Sequence, residues 1–450
     1  MTFDQIIPAI KDIFSKAPNV LADIEWLVVN RDLEARVRLI APQWIETNIS
    51  KRQDLEGLMA SVIGRIGPHV YPLCSSILYE ADRATACRGA TTYPLDAHGQ
   101  VFVADRLVTE GDWARIALER EYPPRIVFFS IKGGVGRSTA LAATAWALAQ
   151  AGKKVLVLDL DLESPGLSSS LLPSDRQPAY GITDWLVEDL VDNTEAVLTG
   201  LIARSDLAHD GEIYVVPAHG RNPGEYVAKL GRAWMSKVGQ DGALEPWPTR
   251  LCRLLDALEI HLSPDVVLID SRAGIDEIAS ACVTGLGAKL VLLFALEGSQ
   301  TWSGYHILFE HWQRAEVTVS IRTRLKSVAA LVPETGQIEY LKGLRERAYL
   351  VYSDTLYDTI APPPPGDIQQ DMVGNQQIWR VKSLVEGWNF DEADEGAPHY
   401  PWTVNWHRSF AGLASLQGRL TVINSEEVRN IFGSLIDGIM GTIEASNVGE

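Results

Sequence analysis

The stretch from Arg125 to Asp161 constrains this chain more than any other. It reads RIVFFS, IKGGVG, RSTALAATAWALAQAGKK and VLVLDLD: an apolar run of strand length, a glycine-rich turn, a helix-forming segment and a second apolar run. Two strands joined through a helix lie parallel, because the crossover returns the chain to the edge where it began. Parallel strands are covered on both faces, so their runs are nearly continuous in Val, Leu, Ile and Phe rather than alternating. Similar runs lie at 212–217, 265–270, 288–295 and 327–332, with helical patterns at about 181–201, 248–262, 276–286 and 301–315 between them. The expected fold class is α/β, a mostly parallel sheet flanked by helices, preceded by a small α+β domain.

Between the first strand and its helix stands Lys132-Gly133-Gly134-Val135-Gly136-Arg137-Ser138-Thr139. Glycines let successive backbone N–H groups converge on phosphate oxygens, and a helix N-terminus adds partial positive charge facing the anion. Ser138 is placed to ligate Mg²⁺. Strand, glycines, a basic residue and Ser-Thr in this order separate a phosphate-binding loop from an ordinary tight turn. Two later apolar runs end in acids, Asp159 with Asp161 and then Asp270. An acid leaving a strand is common by itself and gains meaning beside the loop. Leu162-Glu163-Ser164-Pro165-Gly166-Leu167 is a loop by composition.

Over about residues 123–420 these motifs resemble the ParA/MinD-like ATPases with their deviant Walker A loop, K-G-G-x-G-K-[ST]. The resemblance implies ATP and Mg²⁺ as ligands, with Gly133, Gly134, Val135, Gly136, Arg137, Ser138 and Thr139 around the nucleotide. Lys132 matches the family's signature lysine, which reaches the nucleotide of a partner subunit, so a homodimer on ATP binding is implied. Arg137 stands where the family usually has lysine; it keeps the charge on a bulkier, planar fork. Lys132, Arg137 and Asp161 form the implied catalytic set, Asp161 near the attacking water. Ser138, Asp159 and Asp270 are the implied metal ligands. Glu163 and Gly166 fall in one switch segment and Gly274 in the other, where Asp270-Ser271-Arg272-Ala273-Gly274-Ile275 carries Arg272 in place of the family's proline. Pro333, with Glu334, and Pro401 are candidate adenine contacts.

The implied function is an ATP-dependent dimerising switch with slow hydrolysis, regulating a partner or cargo in DNA partition, positioning of an assembly, or a bacterial conflict system. A second reading, motivated by Arg137, is a scaffold that binds ATP without hydrolysing it and presents the N-terminal domain to an effector. A third, a synthase or kinase-like relative, has no acceptor-binding motif behind it.

Residues 1–120 read as a small α+β domain: a helix at 3–15, two strands within 23–42 around an Asn30-Arg31-Asp32 turn, a helix at 51–66, and strand candidates at 71–81 and 100–104. A protein partner is expected to bind there. Residues 121–450 read as the ATPase domain, with a solvated insertion at 353–400 that carries a proline run (361–366) and the acids Asp391, Glu392, Asp394 and Glu395. A C-terminal helix with Val428, Phe432, Leu435 and Ile439 on one face is expected to dock on that domain. The chain has 450 residues, 46% hydrophobic and 22% charged, a globular composition. Its formal net charge of −18 argues against a nucleic-acid coat or a binder of anionic membranes. Arg314, Arg322, Arg324, Lys326, Lys342, Arg345 and Arg347 form a local basic region, open to two readings: a DNA contact or a salt-bridged surface. His306, Glu310 and His311 share a helical pattern without a third ligand group. Four scattered cysteines read as reduced thiols of a cytoplasmic protein. No export signal and no apolar run approaching the ~20 residues of a membrane span are visible.

Overall fold

A computed structural model describes residues 2–95, 99–106, 112–207, 210–239, 242–358, 368–373, 376–381, 387–410 and 425–447. The N-terminal sheet contains β1 (Leu27–Arg31), β2 (Val37–Pro42), β3 (Ile77–Glu80), β4 (Thr91–Pro94) and β5 (Val101–Asp105), in the order β3-β2-β1-β5-β4. Its core joins Ile6, Ile10 and Phe14 of the helix Phe3–Ser15 and Leu55, Met59 and Val62 of the helix Ile49–Ile66 to Val29, Leu39 and Val103. The hairpin turn falls later than expected. β1 runs through Arg31, and the carboxylate of Asp32 accepts the amides of Glu34 and Arg36 at 3.0 and 2.7 Å, so the aspartate organises the turn. The expected strand at 71–81 shortens to β3 because Pro72 opens a 3₁₀ turn.

The second sheet contains β6 (Arg125–Ser130), β7 (Lys154–Asp159), the two-residue edge β8 (Ala203–Arg204), β9 (Glu212–Val216), β12 (Val266–Asp270), β13 (Leu290–Ala295), β14 (Leu325–Val332) and β17 (Trp402–Asn405). Two hairpins stand apart from it, β10 (Lys237–Val238) with β11 (Leu244–Glu245), and β15 (Ile368–Val373) with β16 (Gln376–Val381). The order is β17-β14-β13-β6-β12-β7-β9-β8, parallel except for β8 on β9. Strand period two sends alternate side chains to opposite faces. Val127 and Phe129 pack with the helices Trp247–Leu262, Ser299–Arg314 and Gln337–Thr355, whereas Ile126 and Phe128 pack with the helices Arg137–Gln150 and Ser425–Asn447. The mostly parallel α/β sheet is therefore present as read, and the C-terminal helix docks on it.

Several expectations change. The helix expected over 181–201 stops at Asp189, whose buried carboxylate takes Arg250 Nε at 2.7 Å, and Asp192 then turns the chain at φ 59°. The helix at 276–286 continues from Glu277–Ser280 as a π-turn over Ala281–Gly285. Residues 112–120 pack with the larger sheet: Trp113 joins its core, Ala117 N donates to Thr284 O at 2.8 Å, and Arg120 N donates to Gly287 O at 2.9 Å. The region 353–400 is not simply solvated. Tyr357, Ala397 and His399 are buried, Trp388 and Phe390 pack beside Tyr357, and Asp358 accepts Trp388 N while pairing with Arg322. Aromatic burial outweighs the local acidity. The proline run 361–366 lies outside the described residues.

One contact gives a stability test. A Cβ on Gly438 would lie 2.3 Å from the Trp402 ring, so the C-terminal helix approaches β17 only because this residue is glycine. Gly438→Ala is expected to cost about 1–3 kcal/mol through overpacking, read as a lower urea midpoint at unchanged slope.

Candidate functional site

The glycine turn leaves β6 at the C-terminal edge of the parallel strands, where ligands of open α/β sheets bind. Gly134 and Gly136 adopt φ 75° and 77°, and Gly136 caps the helix Arg137–Gln150, whose first amides have no helical acceptor. A cavity of about 550 Å³ opens here. Its walls are Gly133–Thr139 on one side, Asp161, Ser164, Gly166, Asp270 and Ala273 on another, and Leu331, Trp406 and Phe410 opposite. A larger, more open groove of about 860 Å³ lies between the two N-terminal helices, away from these groups.

Strand register brings the acids together, since Asp270 and Asp159 are Cα partners across β12 and β7. Both are essentially buried, at 1% and 0% exposure. Burial, aided by the neighbouring charge of Asp270, pushes the Asp159 carboxyl up to about 7. Its Oδ2 accepts Ser168 N at 3.3 Å, while Oδ1 has no hydrogen-bond partner among the described residues. Burial also raises Asp161, opposed by the guanidinium of Arg137.

Arg137, which also lines the cavity, is engaged by side chains of its own chain. Nε donates to Asp270 Oδ1 at 2.7 Å, Nη1 donates to Ser130 Oγ at 3.0 Å, and Nη2 lies 3.6 Å from Asp161 Oδ2. The residue is 7% exposed, and the charges of the acids outweigh its burial to raise the guanidinium pKa. Its planar fork makes two hydrogen bonds and one ion pair to groups on the same cavity wall, which accounts for its orientation.

The remaining expected residues divide. Ser138, Thr139, Val135 and Gly166 line the cavity. Lys132 points out of its own loop to Gln300 Oε1 on the neighbouring helix. Glu163 pairs with Arg272 at 2.6 Å, and Arg272 also meets Asp276 at 3.3 Å, joining the two expected switch segments. Gly274 N donates to Ser130 O at 2.9 Å, which ties the second segment to β6. Pro333 and Pro401 do not line the cavity. Pro401 precedes β17 and therefore lies at the opposite strand end from the loop; Trp406, just beyond β17, takes the place at the correct end. Trp406 is held by its amide on Val332 O at 2.8 Å and is 42% exposed. Leu331, at φ 50°, supplies the wall in place of Pro333. An aromatic residue directly after a short strand is the available sequence signal, readable only once that strand's parallel pairing is known.

The glycine cradle fits a polyphosphate, since it opens a helix whose first amides have no acceptor within the helix. The orphaned oxygen of Asp159 beside Asp270, with Ser138 on the cavity wall, fits a divalent cation that takes its other ligands from phosphate and water. No group of three or more His, Cys, Asp or Glu among the described residues is arranged to hold a metal by itself. His306 instead meets Asp354 at 2.7 Å. The basic region is internally matched: Arg314 with Glu310, Arg322 with Asp358, Arg324 with Glu119, Lys326 with the Ala397 carbonyl, Lys342 with Glu346, Arg345 with Glu392, Arg347 with Glu297. No described helix is long and apolar enough to cross a membrane.

Among curated proteins, a putative arsenical pump-driving ATPase 1 of Aquifex aeolicus is 43% identical over 67 residues, covering 15% of this chain and 17% of that protein. The cytosolic Fe–S cluster assembly factor NUBP2 of Bos taurus is 39% identical over 72 residues, covering 16% and 26%. The chain thus spans about a quarter or less of the length of these relatives. Among solved structures, the MinD cell division protein of Aquifex aeolicus aligns with TM-score 0.41 and 15% identity over 71% of this chain and 97% of its own. The family described as the CobQ/CobB/MinD/ParA nucleotide binding domain matches residues 126–428. That match covers well over half of the sequence and contains the whole cavity, and the chain belongs to this family of nucleotide-binding proteins.

Proposed function

We propose that this protein is an ATP-driven switch that dimerises around its nucleotide and hydrolyses it slowly, with the N-terminal domain, read as 1–120 but without the residues 112–120 that pack on the larger sheet, as its partner-binding part. One observation carries the reading: a left-handed glycine cradle at a helix N-terminus shares a cavity with Asp161 and Asp270. The amides of residues 133–138 hold the phosphates, and the base lies against Leu331 and Trp406. Ser138, Asp159 and Asp270 would hold a Mg²⁺, which would supply neutralisation of phosphate charge. Asp161 orients the attacking water and accepts its proton. Positioning and charge neutralisation dominate such chemistry. Glu163, Gly166 and Gly274 belong to the segments that respond to the terminal phosphate. The outward Lys132 suits a contact across a subunit interface, where two facing nucleotides otherwise repel each other.

Isothermal titration with Mg·ATP tests binding directly; a folded sample that takes up no adenine nucleotide ends the proposal. Light scattering with a slowly hydrolysed ATP analogue tests assembly: Lys132→Ala should retain binding within about threefold yet lose the nucleotide-dependent dimer. Equal dimer content in both proteins refutes the role across the interface. Trp406→Ala should weaken binding roughly 5- to 100-fold, the worth of one base–aromatic stack, with Trp406→Phe recovering most of it. Affinity unchanged in both variants removes Trp406 from the base site. A second reading, a nucleotide-binding scaffold without turnover, is favoured by the engagement of Arg137 with Asp161. Phosphate release at background rate from a binding-competent sample selects it.

A further inference from the structure

We infer that Arg137 is a positioning residue that clamps the two acid-bearing loops, and not a ligand of the phosphates. The nucleotide as ligand rests on the reading above; the clamp rests on geometry alone. β6, β12 and β7 are neighbours in the sheet, and the three nitrogens of Arg137 reach one acceptor from each: Ser130 ending β6, Asp270 ending β12, and Asp161 just beyond β7. Ser130 Oγ donates onward to Lys132 O at 2.9 Å, so the clamp also steadies the first turn of the loop.

Moving the guanidinium onto a phosphate would take its charge from Asp270, a carboxylate only 1% exposed with Asp159 buried beside it, and leave a bound cation alone to offset both acids. Breaking a buried pair in this way is strongly unfavourable. The phosphates meanwhile have the loop amides and the helix terminus. Arg272 acts in the same direction. It departs from the resembled turn at another position, and through Glu163 it bridges the same two loops. Both departures are thus arginines tying the segment after β7 to the segment after β12. Lysine at 137 could not replace the fork, because its donors radiate from a single atom and cannot reach three acceptors spread over three strands.

Hydrogen exchange of the full nucleotide-free chain, together with equilibrium binding of Mg·ADP, tests the clamp in wild type, Arg137→Met and Arg137→Lys. Faster exchange over 158–168 and 268–276 in both variants is expected, with ADP affinity falling less than about fivefold and lysine failing to restore slow exchange. The opposite result overturns the clamp: unchanged exchange in those segments, with affinity lost ten- to a hundredfold in Arg137→Met, as for a charge-assisted phosphate contact, and recovered in Arg137→Lys. If Arg137→Met does not fold, Arg137→Lys decides alone, since faster loop exchange at near-constant affinity supports the clamp and unchanged exchange refutes it. Absence of ADP binding by wild type would sink the nucleotide reading, while the exchange measurement still judges the clamp.

Discussion

Gly136→Val should bind ATP at least a hundredfold more weakly than wild type, about 2.7 kcal/mol, while remaining folded. Gly136 sits at φ 77°, where a β-branched residue is strained by more than the roughly 1–2 kcal/mol of an ordinary side chain. A Cβ there would also press on the Leu331 side chain at 3.2 Å, which must give by a few tenths of an ångström. The loop relieves both by rotating the peptides around residue 136, and those peptides carry the N–H groups that face the phosphates. The sheet is untouched, so the far-ultraviolet circular dichroism should match wild type and the melting temperature should fall only a few degrees. Calorimetry giving a dissociation constant within threefold of wild type would show that the cradle is not the phosphate site.

Asp161→Ala should cut ATP turnover a hundredfold or more, the usual scale for loss of a positioned proton acceptor, while ATP binds within about threefold of wild type. The carboxylate stands on the cavity wall with one oxygen toward Arg137 Nη2 and the other accepting Ser164 N at 3.3 Å. Its removal leaves Arg137 on Asp270 and Ser130, so the loop and its amides keep their shape. Single-turnover hydrolysis measured beside calorimetric binding separates the effects. Equal turnover in the two proteins would take Asp161 out of the chemistry, and a parallel collapse of binding would place it in the cradle's architecture instead.

Much of the site was legible because it is local. The glycines, Ser138 and the strand-ending acids fall at fixed offsets from apolar runs, and those offsets alone carry each residue to the C-terminal edge of a parallel sheet. The wall opposite the acids is not local. Leu331, Trp406 and Phe410 come from the ends of β14 and β17 and the turn after, and β17 is a four-residue edge strand whose weak pattern hid its direction. Pro401 and Trp406 flank that short strand, and its parallel pairing with β14 puts Trp406 at the cavity end.

The sequence by itself determined the parallel sheet, the phosphate-type loop and the order of acids behind it, since period, glycine placement and strand exits are properties of neighbouring residues. Only the tertiary structure shows which groups Arg137 meets. A cation beside a glycine turn reads as a phosphate ligand in one dimension. In three, the register of β12 on β7 sets Asp270 beside Asp159 at the back of the loop, Asp161 follows just beyond, and the guanidinium turns to carboxylates 24 and 133 positions away in sequence. Burial makes unpaired carboxylates far more costly than an unpaired stretch of exposed loop, so the arginine goes to the acids.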